Sequence, residues 1–243
     1  MANRKQREQT AAETLEILKS GEYVVDGETV SIAEALADSC RNTVLYTPEQ
    51  LNDLIAAANE GGPAATSFLV SNCTTFDAAR QLLAEGFDDP LCLNFASAKN
   101  PGGGFLSGSQ AQEECLARAS GLYAALQTQF AYYEINRECS TSLYTHHAIS
   151  SPRVPVFRDN GDALLTEPHR VSFVTSPAVN AGAVRQNEPE NVSAIEDTMR
   201  HRINSVLAIA RAHGHRALVL GAWGCGVFKN DPADIAAGFR DAL

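Results

Sequence analysis

The chain has 243 residues, of which 44% are hydrophobic and 20% charged, and it carries a formal net charge of −10. This composition is ordinary for a water-soluble globular protein with a substantial core. The acidic balance argues against non-specific DNA or RNA binding, which depends on phosphate neutralisation by Lys and Arg. It leaves a phosphorylated ligand open, because backbone N–H groups bind phosphate without a basic surface.

The sequence carries no clear targeting or metal-binding signal. No apolar stretch approaches the length of a membrane span, and the first ten residues lack the apolar segment of a secretory signal. The six cysteines are scattered and form no CxxC pair, which favours a reducing cytoplasm over a disulfide framework. Neither CxxC nor HExxH spacing is present, so we expect no metal and no other cofactor.

Helical patterns dominate the first third of the chain. Ala12, Leu15 and Leu18 recur at helical spacing before Gly21, a residue that commonly ends helices. Residues 31–41 and 48–60 are also predicted to be helices. For the helix at 48–60, Thr47 is the expected N-cap and Pro48 occupies the first helical position.

Strands and helices alternate in the remainder. Strands are predicted at 66–72, 90–97, 142–149, 153–158, 170–176 and 216–223, and helices at 75–86, 110–127, 191–213 and from Asp231 to the end. Alternation of this kind predicts an α/β fold with a mainly parallel sheet and helices on both faces. We expect a single domain over residues 1–243, with residues 1–62 as a helical extension packed on it.

Two glycine-rich loops follow apolar strands, at residues 100–108 and 221–226. In open parallel sheets, ligands bind in the loops at the carboxyl ends of strands. Two such loops, if adjacent, are able to wrap a pyrophosphate. The known nucleotide signatures do not apply, because GxxxxGK[ST] is absent and GxGxxG fails at Ser107.

Two carboxylates follow the first glycine loop at the start of a predicted helix. Adjacent helical residues point about 100° apart, so Glu113 and Glu114 cannot occupy the same surface position. One is expected to face the glycine loop while the other braces it or faces solvent. Simpler explanations remain open: acidic residues favour a helix N-terminus, and a glycine run also serves tight turns. Cys225 lies between two glycines and is interpreted as a small residue in a crowded turn.

The segments NFASAKNPGGGFLSGSQAQEE and GAWGCGVFKND together resemble the bacterial-type poly(ADP-ribose) glycohydrolases. The similarity runs in the expected order from about residue 40 to the end of the chain. It implies a macrodomain-like fold and hydrolysis of the ribose–ribose bonds of poly(ADP-ribose), which releases ADP-ribose. The expected partners are therefore ADP-ribose, its polymer and ADP-ribosylated proteins, with no DNA and no membrane.

The resemblance also implies residue roles. Glu114 would be the catalytic acid and base, and Glu113 would orient the ribose. The remaining matching positions would bind substrate through the two loops: Asn100, Gly102, Gly103, Gly104 and Gln112 in the first, and Gly224, Cys225, Gly226, Val227 and Phe228 in the second. One carboxyl is able to protonate the leaving oxygen and then activate water, so no metal is required.

Two other functions stay open at this point, namely a non-catalytic ADP-ribose reader and a hydrolase of mono-ADP-ribosylated proteins. A reader needs the glycine loops but not the Gln-Glu-Glu run. Asp77 is a candidate partner for the adenine amine or an ordinary first-turn acid of a helix. The family is expected to add a strand after the last helix, whereas this sequence ends at Leu243 within that helix.

Overall fold

The computed structural model of the chain describes residues 3–60 and 65–243. Its helices are α1 (Arg4–Ser20), α2 (Ala33–Asn42), α3 (Pro48–Glu60), α4 (Thr75–Ala84), α5 (Gln112–Ala119), α6 (Leu122–Gln127), α7 (Ala131–Glu138), α8 (Ala181–Asn187), α9 (Ala194–Ala212) and α10 (Pro232–Ala242). Its strands are β1 (Glu22–Val25), β2 (Glu28–Ser31), β3 (Val44–Tyr46), β4 (Leu91–Phe95), β5 (Ala148–Arg158), β6 (Leu164–Ser176) and β7 (Leu218–Val219). None of the helices in these two ranges combines the length and hydropathy that crossing a bilayer requires.

The central sheet is mixed, with strand order β3-β5-β6-β4-β7. β6, β4 and β7 run parallel to one another, whereas β3, β5 and β6 are joined by antiparallel pairings. The predicted α/β class is confirmed, and the sheet, expected to be mainly parallel, has two parallel and two antiparallel pairings. The parallel half of the sheet matters for function, because the carboxyl ends of β4, β6 and β7 open at the same edge.

Helices cover both faces of the sheet, and β4 shows why. Side chains alternate between the two faces of a strand, so Leu91 and Leu93 enter one core while Cys92 enters the other. The first core includes α9 and the fully buried Trp223, and the second includes Leu116 of α5. Burying one large aliphatic side chain contributes about 1.5–3 kcal/mol, so the two cores fix the helices that carry the site.

The amino-terminal helices form as predicted, with a shift of register in the first. Gly21 ends α1 in the left-handed conformation at φ +76°. The buried positions of α1 are Ala11, Thr14 and Ile17, one residue ahead of the predicted apolar stripe. The predicted N-cap of α3 also forms, because the Thr47 hydroxyl accepts from the Gln50 N–H at 3.4 Å. The β1–β2 hairpin was not predicted from the sequence, so the stretch before residue 60 is not purely helical.

The predicted strand at 66–72 is wrong. Within the described residues no strand pairs with this segment, and an extended segment without a partner leaves its backbone groups to water. Phe68, Leu69 and Val70 are all exposed, Val70 to 95%. β7 is likewise shorter than predicted and lies at the edge of the sheet.

The predicted helix at 110–127 is broken into α5 and α6. Ser120 is extended at φ −148° and forms an isolated bridge with Val156, and Gly121 packs so closely that a Cβ would lie 2.7 Å from Leu36 Cδ1. The predicted strand at 142–149 begins only at Ala148.

Two buried side chains explain the late start of β5. The Asn136 side chain accepts from the Thr145 N–H at 3.0 Å. The Arg202 guanidinium donates to the carbonyls of Leu143 and Thr145, at 2.5 and 3.0 Å. These side chains satisfy backbone groups that a strand would have paired, so residues 142–147 form a loop.

Candidate active site

The two glycine-rich loops are neighbours at the carboxyl edge of the sheet. β4 leads into the loop 96–111, hereafter called the catalytic loop after the role that the sequence predicts for it, and β7 leads into the loop 220–231, hereafter the second loop. β4 and β7 pair in parallel, with Cys92 opposite Val219. At the start of the second loop a Cβ on Gly221 would lie 2.9 Å from the ring of Phe95, the last residue of β4. The condition set for wrapping a pyrophosphate, that the two loops are adjacent, is therefore met.

The catalytic loop needs glycine for two different reasons. Gly102 and Gly103 have φ values of +67° and +59°, which side chains other than glycine rarely adopt. Gly104 has φ −102°, but a Cβ there would lie 2.6 Å from Ser109 Oγ. At Gly103 a Cβ would lie 2.5 Å from Glu114 Oε1, so the loop backbone passes directly against that carboxylate.

Glu114 is fixed between two backbone donors. The N–H of Gly104 donates to Oε1 at 3.0 Å, and the N–H of Ala111 donates to Oε2 at 2.8 Å. The second bond is the backward half of a capping box at the start of α5. The half-buried carboxylate is thus held at the wall of the catalytic loop.

Glu113 is buried, and its carboxyl group also reaches the catalytic loop, because a Cβ on Gly103 would lie 3.1 Å from its Oε2. The Ser97 N–H donates to its Oε2 at 2.7 Å and the Asn94 amide donates to its Oε1 at 3.2 Å. Burial raises the pKa of Glu113 to about 8, the hydrogen bonds from Ser97 and Asn94 oppose that rise, and the Glu114 carboxylate adds to it. Glu113 is therefore harder to ionise than an exposed carboxyl group, and it braces the loop that leaves β4.

The side chain of Gln112 is hydrogen-bonded within the protein, whereas Asn100 takes part through its backbone carbonyl. The Gln112 amide donates to the Leu93 carbonyl at 2.7 Å and accepts from the Phe95 N–H at 2.9 Å, which fastens α5 to β4. Asn100 is exposed, and its carbonyl accepts from the Gly103 N–H at 3.0 Å. Substrate contact by either side chain stays a prediction.

The second loop turns sharply at Gly224, whose φ is +72°. The Cys225 N–H, in a residue predicted to bind substrate, donates to the Ala222 carbonyl at 3.2 Å and so closes the turn. Burial raises the pKa of the Cys225 thiol, which keeps it protonated and fits the interpretation as a small turn residue. Gly226 and Val227 are exposed at the tip of the loop.

Sequence reasoning missed several residues that shape the site. Tyr144 adopts φ +60°, and its ring lies 6.1 Å from that of Phe228 at the end of the second loop. Asn230 is buried and donates to the carbonyls of Val179 and Gly224, at 2.8 and 3.1 Å. The one available signal was Asn94, a polar residue in the otherwise apolar strand LCLNF. Tyr144 and Asn230 lie in loops without any pattern that indicates their contacts.

The comparison with protein families agrees with this geometry. A family model described as "Microbial-type PARG, catalytic domain", where PARG is poly(ADP-ribose) glycohydrolase, matches residues 11–159. The chain belongs to the microbial-type poly(ADP-ribose) glycohydrolase family. The matched range contains most of α1, the catalytic loop and the two glutamates of α5. No curated protein sequence matches the chain.

Solved structures of bacterial poly(ADP-ribose) glycohydrolases extend the similarity to the second loop. The enzyme of Thermomonospora curvata bound to the inhibitor ADP-HPD is 49% identical, with a TM-score of 0.90 over 98% of this chain and 86% of that one. The enzyme of Deinococcus radiodurans in complex with ADP-ribose is 50% identical, with a TM-score of 0.81 over 86% of this chain and 84% of that one. The macrodomain-like fold expected from the sequence is confirmed.

Proposed function

We propose that this protein hydrolyses the ribose–ribose O-glycosidic bonds of poly(ADP-ribose) and releases ADP-ribose, with Glu114 as the general acid and base. The observation that carries the proposal is the position of the Glu114 carboxylate, held by the N–H groups of Gly104 and Ala111 against the catalytic loop. Family membership and the relatives solved with ADP-ribose and ADP-HPD support the same substrate class.

Substrate binding is assigned mainly to backbone. Gly102, Gly103 and Gly104 let the catalytic loop approach the diphosphate and the distal ribose, because no side chain intervenes. The exposed tip of the second loop, at Gly226 and Val227, offers further backbone donors. The rest of the binding set is Asn100, Gln112, Gly224, Cys225 and Phe228. The ring of Phe228, supported by Tyr144, packs on the distal ribose.

The reaction then runs through one carboxyl group. Glu114 donates its proton to the bridging ribose oxygen as the bond from that oxygen to the anomeric carbon breaks. The anomeric carbon becomes oxocarbenium-like, and the nearby diphosphate stabilises its positive charge. The Glu114 carboxylate next takes a proton from the attacking water, whose oxygen bonds to the anomeric carbon. Glu114 thereby regains its proton for the next cycle.

Glu113 supports this cycle as a neutral group. With a pKa of about 8 it carries little negative charge at pH 7, so it does not oppose the carboxylate that forms on Glu114. In the protonated form it is also a hydrogen-bond donor for a ribose hydroxyl. Its bonds to Ser97 and Asn94 fix its direction, which suits a residue that orients the ribose.

The test compares the unmodified protein with its Glu114→Gln and Glu49→Gln variants. Glu49 is a matched control, because it is also an acidic residue in the first turn of a helix but is exposed on α3. ADP-ribose release from purified poly(ADP-ribose) should fall about 10²–10⁴-fold in Glu114→Gln alone, since general acid–base catalysis contributes that much. ADP-ribose binding should persist in all three proteins.

Other outcomes identify other functions. Binding without turnover by the unmodified protein indicates an ADP-ribose reader. Release from mono-ADP-ribosylated proteins with no action on the polymer indicates a mono-ADP-ribosyl hydrolase. Equal turnover by the Glu114→Gln and Glu49→Gln variants refutes the assignment of the catalytic acid.

The proposal also covers the cellular location of the protein, its partners and its domain organisation. The six cysteines are all free thiols, which supports a reducing, cytoplasmic location. ADP-ribosylated proteins are the expected carriers of the substrate, and the net charge of −10 disfavours DNA as a ligand. The chain is assigned as one catalytic domain, since β3 of the amino-terminal extension pairs with β5 of the central sheet.

A further inference from the structure

Arginine side chains hold three consecutive carbonyl groups of the catalytic loop. The three bonds are Arg4 Nε to the Ser107 carbonyl at 3.0 Å, Arg7 Nε to the Gly108 carbonyl at 2.7 Å, and Arg118 Nη1 to the Ser109 carbonyl at 3.0 Å. Hydrogen bonds from a charged donor are roughly twice as strong as neutral ones. Three of them on adjacent carbonyls restrain the backbone far more than an ordinary surface turn.

The restrained segment is joined directly to Glu114. The Gly104 carbonyl accepts from the N–H groups of Ser107 and Ser109, at 3.0 and 3.2 Å, so residues 104–109 form a closed turn. The N–H of the same Gly104 donates to Glu114 Oε1 at 3.0 Å. A shift of the turn therefore moves a donor that orients the catalytic carboxyl group.

Arg118 of α5 is one of the two arginines that restrain this turn most. It lies on α5, one helical turn after Glu114, and its side chain is only 2% exposed. A buried guanidinium is costly unless its donors are used, so the bond to the Ser109 carbonyl is strongly favoured. Asp162, at 3.6 Å from Arg118 Nε, supplies the compensating negative charge.

Arg7 holds the turn from α1, which lies against it. A Cβ on Gly108 would lie 2.5 Å from the Arg4 carbonyl, so the helix and the turn are in direct contact. Thr14 of α1 donates its hydroxyl proton to the Arg118 carbonyl at 2.6 Å. Ala11, Phe105 and Ala117 form a small shared core under this contact. The amino-terminal helix α1 is thus packed on both the catalytic loop and α5.

We propose that Arg7 and Arg118 are positioning residues of the hydrolase: they clamp the turn 104–109 from α1 and α5 and so hold the Gly104 N–H where it orients Glu114. The proposal rests on the function assigned above. Arg4 contributes less, because its side chain is 70% exposed and also pairs with Glu8. The clamp gives the amino-terminal helix a role in catalysis without contact to substrate.

The test uses Arg7→Met, Arg7→Lys and Glu13→Gln in the full chain. Methionine keeps an apolar stem of similar length but removes the donor, and lysine restores one donor. Glu13 is the matched control, because its ion pair with Arg158, at 2.6 Å, also docks α1 but does not touch the loop. Arg118→Lys is the parallel variant on α5.

The clamp predicts a lower kcat with little change in KM. Arg7→Met should lower kcat on poly(ADP-ribose) by about 10-fold or more with KM changed less than about 3-fold, because small misplacements of catalytic groups are costly. Arg7→Lys should recover most of that loss, and Glu13→Gln should keep the unmodified kcat. Hydrogen exchange of the Gly104 amide should become at least about 10-fold faster in Arg7→Met and not in Glu13→Gln.

Each remaining outcome counts against a specific claim. If Arg7→Met and Glu13→Gln have the same kcat, or if only KM rises in Arg7→Met, the positioning role is overturned. Unchanged exchange at Gly104 in Arg7→Met overturns the clamp even if the unmodified protein has no activity. An unmodified protein that releases no ADP-ribose overturns the proposed function instead, so the two failures are distinguishable.

Discussion

Replacing Gly103 by alanine should disable catalysis through a single methyl group. The new Cβ would lie 2.5 Å from Glu114 Oε1 and 3.1 Å from Glu113 Oε2, whereas a comfortable contact of carbon with oxygen is about 3.3–3.6 Å. The Glu114 carboxyl must therefore move by nearly 1 Å, or the loop must. A misplacement of about 1 Å costs on the order of 100-fold in rate, which corresponds to about 2.7 kcal/mol of transition-state stabilisation.

The backbone strain that Gly103→Ala introduces can be measured separately from the new contact with Glu114. Gly103 has φ +59°, and a residue with a side chain in that region costs about 1–2 kcal/mol of stability. Gly27, in the turn between β1 and β2, has φ +82°, and no atom lies within 4 Å of the position that a Cβ would occupy there. Gly27→Ala therefore imposes similar strain without the contact.

The assay is steady-state release of ADP-ribose from poly(ADP-ribose), with thermal unfolding and ADP-ribose binding measured on the same samples. Both alanine variants should lose stability through backbone strain, with a further loss in Gly103→Ala from the contact, and only Gly103→Ala should lose about 100-fold in kcat. If kcat of Gly103→Ala stays within about 3-fold of that of Gly27→Ala, the contact with Glu114 does not control the catalytic geometry.

Two further substitutions probe the buried carboxyl and the second loop. Because Glu113 binds its proton more tightly when folded, with a pKa of about 8 against the usual 4.5, its contribution to stability should be full below pH 4.5 and decline as pH rises to 8. Glu113→Gln should remove that decline, so its unfolding free energy should overtake that of the unmodified protein by up to a few kcal/mol near pH 8; parallel pH profiles would contradict this. Gly224→Ala, which places a Cβ 2.5 Å from Asn230 Nδ2, should weaken ADP-ribose binding about 10-fold or more. Gly214→Ala, with φ +74° and open space, is its control, and equal affinities would refute a role for the turn at Gly224.

The arrangement of the glycine loop and the two carboxylates at the candidate site was predictable because its determinants are local. Glycines next to a strand, followed by two carboxylates at a helix start, constrain one another within about fifteen residues of sequence. The 100° between adjacent helical residues already gave Glu113 and Glu114 different surroundings: Asn94 and Ser97 donate to Glu113, whereas Gly104 and Ala111 donate to Glu114. Local patterning also located β4, α3 and the helix after Asp231.

The errors arose where distant residues decide the local structure. Residues 66–72 have a strand-like composition, but a strand requires a partner and none pairs with them in the described residues. The loop at 142–147 depends on Asn136 and Arg202, whose contacts no spacing rule indicates. The same holds for Arg7, a residue of an ordinary charged helix whose partner lies 101 positions away.

The separation between α1 and the turn it contacts also bears on how the protein folds. α1 is synthesised before the residues that it contacts, and its bonds to the Ser107, Gly108 and Arg118 carbonyls span 101 to 104 residues of chain. Contacts of such long sequence separation form late, because the intervening chain must already be ordered. During refolding, helix content should therefore recover before hydrolytic activity, and the return of activity marks the docking of the amino-terminal helix.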